Sequence, residues 1–293
     1  GMDSQALLQR FLQERRILAK LNHPAIATLL DAGVTADGRP FLAMDYICGE
    51  PLTVYARQQN LGLEARLRLV AEIARVVDYA HRQLIVHRDL KPSNVLVDSD
   101  GRPHLLDFGI AKVLGDDTDE LVQTATGVRV LSPAYAAPEQ VRGEEVGVAA
   151  DVYGLGVLLY ELSVGRLPHR RSGRMDLLAQ EITGERATRP SLAAAELGQQ
   201  AELPVLCERV SWSKRLRGDL DTLILKAIHP EAERRYGSAA MLAEDIDHFL
   251  SGRPIRARPD SRSYRFRKFI ARHRLGVLAG SIALTGLLTG LGV

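Results

Sequence analysis

Residues 151–165 read DVYGLGVLLYELSVG and are apolar nearly all round. A helix with no polar face cannot lie on a surface and has to be buried in a helical core. That one requirement dictates most of the fold, because other helices must wrap it. LEARLRLVAEIARVVDYAHRQ (63–83) has the spacing of a long amphipathic helix, and LDTLILKAI and AAMLAEDIDHFL add two more. Residues 169–218 are polar, Arg-rich and weakly periodic, which predicts loops and short helices. The opening region differs. Residues 4–21 carry apolar side chains at helical spacing (Leu7, Leu8, Phe11, Leu12, Ile17, Leu18, Leu21) and stop at Asn22–His23–Pro24. Two strand-like runs come next, AIATLLDAGV and PFLAMDYI, around the turn ADGR. No repeat is visible. The pattern predicts an α+β chain, with a small strand region ahead of a large helical one.

The polarity of HRDLKPSN (His87 to Asn94) needs its own explanation, since it sits between the apolar runs Leu84–Val86 and Val95–Val97. NVLVDSDGRPHLLDFG reads as a hairpin: Asn94 to Val97 out, a turn at Asp98 to Arg102, His104 to Asp107 back. Antiparallel pairing would bring Asn94 and Asp107 to one end, beside Asp89 of the preceding loop. Hard oxygen donors in that arrangement suit Mg²⁺, which takes few protein ligands and fills its shell with water and phosphate. The DSDG at 98–101 lacks the third acid and closing Glu of a calcium loop, so it is read as a plain turn.

With these motifs the chain resembles the eukaryotic-type (Hanks-type) serine/threonine protein kinases, specifically the bacterial membrane-anchored ones, over residues 4 to about 252. HRDLKPSN resembles the catalytic loop. The resemblance implies that Asp89 orients and deprotonates the substrate hydroxyl, that Lys91 sits against the transferring phosphoryl group, and that Asn94 holds a Mg²⁺. Lys91 also marks a serine/threonine enzyme. By the same resemblance Asp107, in the DFG of Asp107, Phe108 and Gly109, bridges Mg²⁺ to the ATP phosphates. APE (Ala137 to Glu139) would close the activation segment, with Glu139 paired to Arg235 of ERRY. Glu14 resembles the glutamate of the regulatory helix. Leu18, Leu30, His87 and Phe108 would form a stacked column anchored by Asp151. AMDYI resembles the hinge: Met44 would guard the pocket, the backbone of Asp45 and Ile47 would bond adenine, and Leu96 would pack beneath the base. Arg88 implies control by phosphorylation, with Thr124, Thr126 and Thr118 as acceptors, and Ser132 of LSPAY keeps a hydroxyl for Asp89 and Lys91. Leu131 has no explanation. Small-molecule phosphotransferases share the Asp, Asn, Asp logic but usually read H-G-D and lack the APE segment present here.

The chain departs from the family at its start. No G-x-G-x-x-G precedes Glu14, and no strand carries the lysine that pairs with it. Lys20 shares a helix with Glu14 and cannot reach it from a sheet. Two readings are open: a piece of a full kinase, or a shortened pseudokinase that binds partners without catalysis. The intact catalytic residues favour the first. Either way these 293 residues are expected to bind ATP weakly. The units are then a partial N-lobe at 1–47, a helical C-lobe at 48–252, a basic strap at 253–274 and an apolar tail at 275–293.

Strap and tail carry a separate message. The net charge is +2, but residues 253–274 alone carry +8, leaving −6 on residues 1–252. The nineteen residues Leu275–Val293 are uncharged. At ~1.5 Å per residue they nearly cross a hydrocarbon core of ~30 Å. A basic segment against such a run predicts a single-pass membrane helix with the kinase region in the cytoplasm. YRFRKF interleaves aromatics and cations as interfacial anchors do. Nucleic acid is not an expected partner, since it leaves the tail unexplained. Gly286 and Gly290 form a G-x-x-x-G, a hint that two copies pair as a homodimer. The opening GMDSQALLQRFLQERR is amphipathic and charged, unlike a signal peptide. Cys48 and Cys207 give neither a disulfide framework nor metal-site spacing.

Overall fold

The structure, a computed structural model, describes residues 21–35, 40–108, 133–169, 182, 184, 187–199, 211–259 and 261–272. Glu14, Leu18, Gly109, Thr118, Thr124, Thr126, Ser132 and the tail Leu275–Val293 lie outside the described residues.

The all-apolar segment forms helix α4 (Val148–Val164), following β1 (Leu29–Val34), β2 (Pro40–Met44), β3 (Gly49–Pro51), α1 (Leu52–Gln58), α2 (Leu63–Arg82), β4 (Val95–Asp98), β5 (Pro103–Leu105) and the short α3 (Pro138–Arg142). α5 (Pro190–Gln199), α6 (Asp219–Ala227), α7 (Ala239–Leu250) and α8 (Arg262–Arg272) follow. From Ala150 to Val164, α4 is buried at every position except Glu161. α2 packs on both α4 and α7, and α6 covers another side of α4. Two glycines make this closeness possible. A Cβ on Gly156 would stand 2.7 Å from the Ala227 Cβ, and one on Gly154 would stand 3.0 Å from the Leu90 Cβ. The first lets α6 seat on α4; the second brings the polar loop of residues 87–94 down onto it. Arg66 ties the corner, donating to the carbonyls of Leu61, Ala56 and Leu162.

The strands form two small sheets: β1 antiparallel to β2, and β3–β4–β5 in that order. The hairpin is shorter than its sequence predicts, with Val95 opposite Leu105 and Asn94 in a 3-10 turn. The Asn94 N–H is used within that turn, donating to the Lys91 carbonyl at 3.0 Å, so the strand begins one residue later. One further backbone bond, Leu106 N–H to the Asn94 carbonyl at 2.9 Å, still keeps the two ends together. β3, within a stretch expected to turn helical, pairs with β4 instead. Residues 25–27 bridge to β5 through Ala27 N–H to Leu105 O and Leu105 N–H to Ala25 O, fastening the strand region to the helical body.

Leu30 corrects an expectation. The resemblance implies a place in the stacked column, but the side chain is 63% exposed. The β1–β2 register slips between Leu29 and Asp31, a β-bulge at Leu30, and the extra residue turns outward. Its neighbour Leu29 is half-buried, opposite Met44.

The basic strap is a second surprise. Residues 262–272 form α8, seated on the helical body by the buried Tyr264. Among the described residues no helix is long and apolar enough to cross a membrane.

Candidate active site

α4 delivers Asp151 to the base of the polar loop. Its buried carboxylate accepts the backbone N–H groups of His87 (2.7 Å) and Arg88 (2.8 Å) and lies 2.7 Å from His81 Nε2 of α2. Two loop amides that a turn would leave unpaired are thereby fixed to a rigid helix. The loop needs such support, since Leu84 and Arg88 adopt positive φ of 61° and 64°. Non-glycine residues hold that backbone only where surrounding contacts impose it.

His87 is buried and its ring lies 4.6 Å from that of Phe108. Burial pushes its pKa down, against the opposing pull of Asp151. The neutral ring donates from Nε2 to the Leu106 carbonyl at 2.9 Å. Its Nδ1 then accepts the Asp89 N–H, a long bond of 3.4 Å. One side chain thus links the loop to the residue just before Asp107.

Above this frame, Asp89 and Asn94 meet. The Asn94 amide nitrogen donates to the Asp89 carbonyl (2.9 Å) and to its carboxylate (3.1 Å). Both bonds use the nitrogen; the amide oxygen accepts a long bond of 3.4 Å from the Ser93 hydroxyl and keeps a lone pair that can serve as a ligand. Lys91 Nζ lies 2.7 Å from the same Asp89 oxygen. Asp107 comes two residues after β5, is exposed, and has φ 45°. It stands one residue after Leu106, whose N–H is bonded to the Asn94 carbonyl. The Asp89, Asn94 and Asp107 segments therefore converge through backbone and side-chain bonds. Among the described residues no group of three His, Cys, Asp or Glu side chains could hold a metal. The donor set here is different: two carboxylates and one amide oxygen, with a neighbouring lysine. Such a set fits Mg²⁺ shared with phosphate oxygens, as it leaves most of the shell to them.

The residues expected to form a hinge run from the end of β2. Met44 is half-buried, and the Asp45 N–H donates to the Thr28 carbonyl at 2.9 Å. Ile47 is half-buried. In β4, Val95 and Val97 are buried whereas Leu96, on the opposite face, is half-buried.

Below the loop, Glu139 and Arg235 form a buried bidentate pair at 2.6 and 2.7 Å. The other guanidinium donors go to the carbonyls of His229, Ala149 and Pro230, so every N–H is satisfied. Sequence reasoning missed Gln140. It accepts from Ala137 N–H and donates to the Arg88 carbonyl at 2.8 Å, joining the segment after Pro133 to the loop. Its position directly after APE is the only signal in the sequence. His81 was missed too, being an ordinary polar position on an amphipathic helix.

Residues 2–246 match the family model described as "Protein kinase domain". Among curated relatives, a probable serine/threonine-protein kinase of Streptomyces coelicolor (SCO3848) is 32% identical over 252 residues, covering 85% of this chain and 34% of the relative. Serine/threonine-protein kinase PknB of Mycobacterium tuberculosis is 30% identical over 252 residues, covering 85% of this chain and 37% of that protein. Serine/threonine-protein kinase PknK of Mycobacterium bovis is 39% identical over 175 residues, covering 59% of this chain and 15% of that protein. The chain spans about a third of the length of the first two relatives.

Proposed function

The chain belongs to the protein kinase family, and on that premise we propose that it transfers the γ-phosphoryl group of ATP to a serine or threonine of a protein. The observation that carries the reading is the Asp89–Asn94–Lys91 cluster, held by Asp151 beside the Asp107 segment. In the proposed reaction the substrate hydroxyl oxygen bonds to the γ-phosphorus. The bond to the β–γ bridging oxygen breaks, and ADP leaves with that electron pair. Asp89 receives the hydroxyl proton and Lys91 faces the transferring phosphoryl oxygens. Asn94 and Asp107 would hold Mg²⁺, which when bound offsets the charge of the phosphate oxygens. The loop contributes positioning: its amides are fixed before substrate arrives, so little reorganisation is needed at reaction. Met44, the backbone of Asp45 and Ile47, and Leu96 would receive the adenine. A phosphate carried by Thr124, Thr126 or Thr118 would pair with the Arg88 guanidinium.

The finer reading concerns the membrane and nucleotide affinity. Leu275–Val293 would span a bilayer once, with the kinase region cytoplasmic, and Gly286 and Gly290 would favour pairing of two copies. The 293 residues contain no glycine-rich phosphate loop and no lysine strand ahead of Glu14, so this polypeptide should bind ATP weakly. Non-catalytic partner binding is the alternative outcome of the test. Transfer of radiolabelled γ-phosphate to a protein substrate at millimolar ATP and Mg²⁺ tests both. Slow labelling that disappears in Asp89→Asn is expected. Labelling no greater than in Asp89→Asn would favour the non-catalytic role. Rapid labelling at micromolar ATP would contradict the weak-binding expectation.

A further inference from the structure

The peptide that joins Arg88 to Asp89 is held by side chains from elsewhere in the fold. Arg88 has φ of 64°, a backbone that a residue with a side chain keeps only under outside contacts. Its N–H donates to Asp151 at 2.8 Å. Its carbonyl, which belongs to the Arg88–Asp89 peptide, accepts from Gln140 Nε2 at 2.8 Å. The N–H of the same peptide faces His87 Nδ1 at 3.4 Å, so the bond from Gln140 is the shorter of these two. On the far side, the Asp89 carbonyl accepts from the Asn94 amide at 2.9 Å. Asp89 is thus bracketed by two amide side chains, one donating to the carbonyl before it and one to its own.

Gln140 can do this because its own amide is locked. Oε1 accepts the Ala137 N–H at 3.0 Å, and the Gln140 backbone N–H donates to the Ala137 carbonyl at 2.9 Å. Reversing the amide would set an NH₂ group against an N–H and an oxygen against a carbonyl, so Nε2 has to face the loop. The platform beneath it is rigid. Glu139, its neighbour in α3, is in the buried pair with Arg235, and the Tyr135 hydroxyl donates to Glu161 of α4 at 2.7 Å. Between platform and loop lies a small cavity lined by Arg88, Asp89, Tyr135, Gln140, Ala150 and Asp151. Without the bond, the Arg88 carbonyl has room to turn into that space.

We infer that Gln140 is a positioning residue for Asp89: from the segment that APE closes, it sets the Arg88–Asp89 peptide and through it the carboxylate that takes the hydroxyl proton. The inference rests on the phosphoryl-transfer reading and deepens it, because the placement of the base then depends on the docking of residues 135–140. Gln140 acts through Asp89 and not on the nucleotide, so its loss should slow turnover and spare ATP affinity.

Three variants separate the two halves of the amide. Gln140→Glu is nearly isosteric, keeps the acceptor for Ala137 and loses the donor to Arg88. Gln140→Lys keeps a donor and loses the acceptor. Gln140→Met loses both and adds no charge. Each is made in the full chain and assayed for transfer from ATP to myelin basic protein across a millimolar range of ATP, beside the parent and Asp89→Asn. Hydrogen exchange at residues 87–90 is followed in parallel, with residues 155–160 of α4 as internal reference. The expected result is a kcat lower by roughly ten- to a hundredfold in Gln140→Glu and Gln140→Met, with KM for ATP within about twofold of the parent. Exchange at 87–90 should quicken in both while α4 is unchanged, and Gln140→Lys should restore most of each. Equal loss in all three variants, faster exchange in α4 as well, or unfolding of Gln140→Glu would make the bond a fold contact and overturn the inference. An unchanged kcat in Gln140→Met, or a raised KM at constant kcat, overturns it too and leaves the phosphoryl-transfer reading standing. Parent transfer no greater than that of Asp89→Asn overturns the phosphoryl-transfer reading itself, and the inference with it.

Discussion

Arg235 and Glu139 show what a buried charge requires. The guanidinium has five N–H groups and five acceptors, so the desolvation cost of both ions is offset by bonds of good geometry. Removing one partner leaves the other charge buried and unpaired. Arg235→Met should therefore destabilise the fold by about 3–5 kcal/mol in urea unfolding; a loss below about 1 kcal/mol would show that water reaches Glu139. His87 gives a pH signature. Its pKa in the fold lies below the ordinary 6.5 because the ring is buried. The unfolded chain then binds the extra proton first as pH falls, so stability present above about 6.5 is lost below it. Urea midpoints measured from pH 7.5 to 5.5 (about 2 units bracketing an ordinary histidine) should decline, and His87→Asn should flatten that decline. An unchanged slope would assign the loss to other groups. At this scale the sequence was most informative where chemistry is singular: Asp89, Asn94, Asp151, Glu139 and Arg235 can each be named from motifs. Gln140 and His81 could not be, as their roles depend on backbone atoms and side chains brought close by other elements.

The elements were legible in proportion to how far their periodicity matched their packing. α2 and α7 have one apolar face each, and both form over nearly the stretch their spacing predicts. α4 was readable for the opposite reason, since only burial suits it. What spacing does not encode is separation. Gly156 lies in the middle of an apolar run and, by propensity alone, weakens its helix. Its value appears only against Ala227 and Ile228, both 2.7 Å from where a Cβ would sit. Gly156→Ala should therefore destabilise by about 1–3 kcal/mol through overpacking, in spite of alanine's better propensity; a stabilised variant would mean that α6 can shift away. The bulge at Leu30 was hidden likewise: two adjacent leucines look equivalent until the pairing with β2 selects one of them. β3 is three residues long and has no pattern of its own; β4 makes it a strand.

For the whole molecule, the reading is of a helical body built around α4 that carries one polar loop at its upper end and one basic helix on its surface. α4 joins these roles, as its first turn holds the loop through Asp151 and its length organises α2, α6 and α7. The family and the α+β architecture were legible from ordered motifs. The docked position of α8 was not, because the basic strap reads as charge alone until Asp219 and Asp245 are seen beneath it. The central claim is that Asp89, Asn94 and Asp107 form a single site for a divalent metal and a nucleotide tail. Electron paramagnetic resonance of Mn²⁺, titrated with a non-hydrolysable ATP analogue, reports that site directly and tolerates weak binding. The account predicts a nucleotide-dependent bound Mn²⁺ signal, weakened at least tenfold in Asp107→Asn and in Asn94→Leu, with circular dichroism unchanged. A bound signal of equal affinity in the parent and both variants would contradict it.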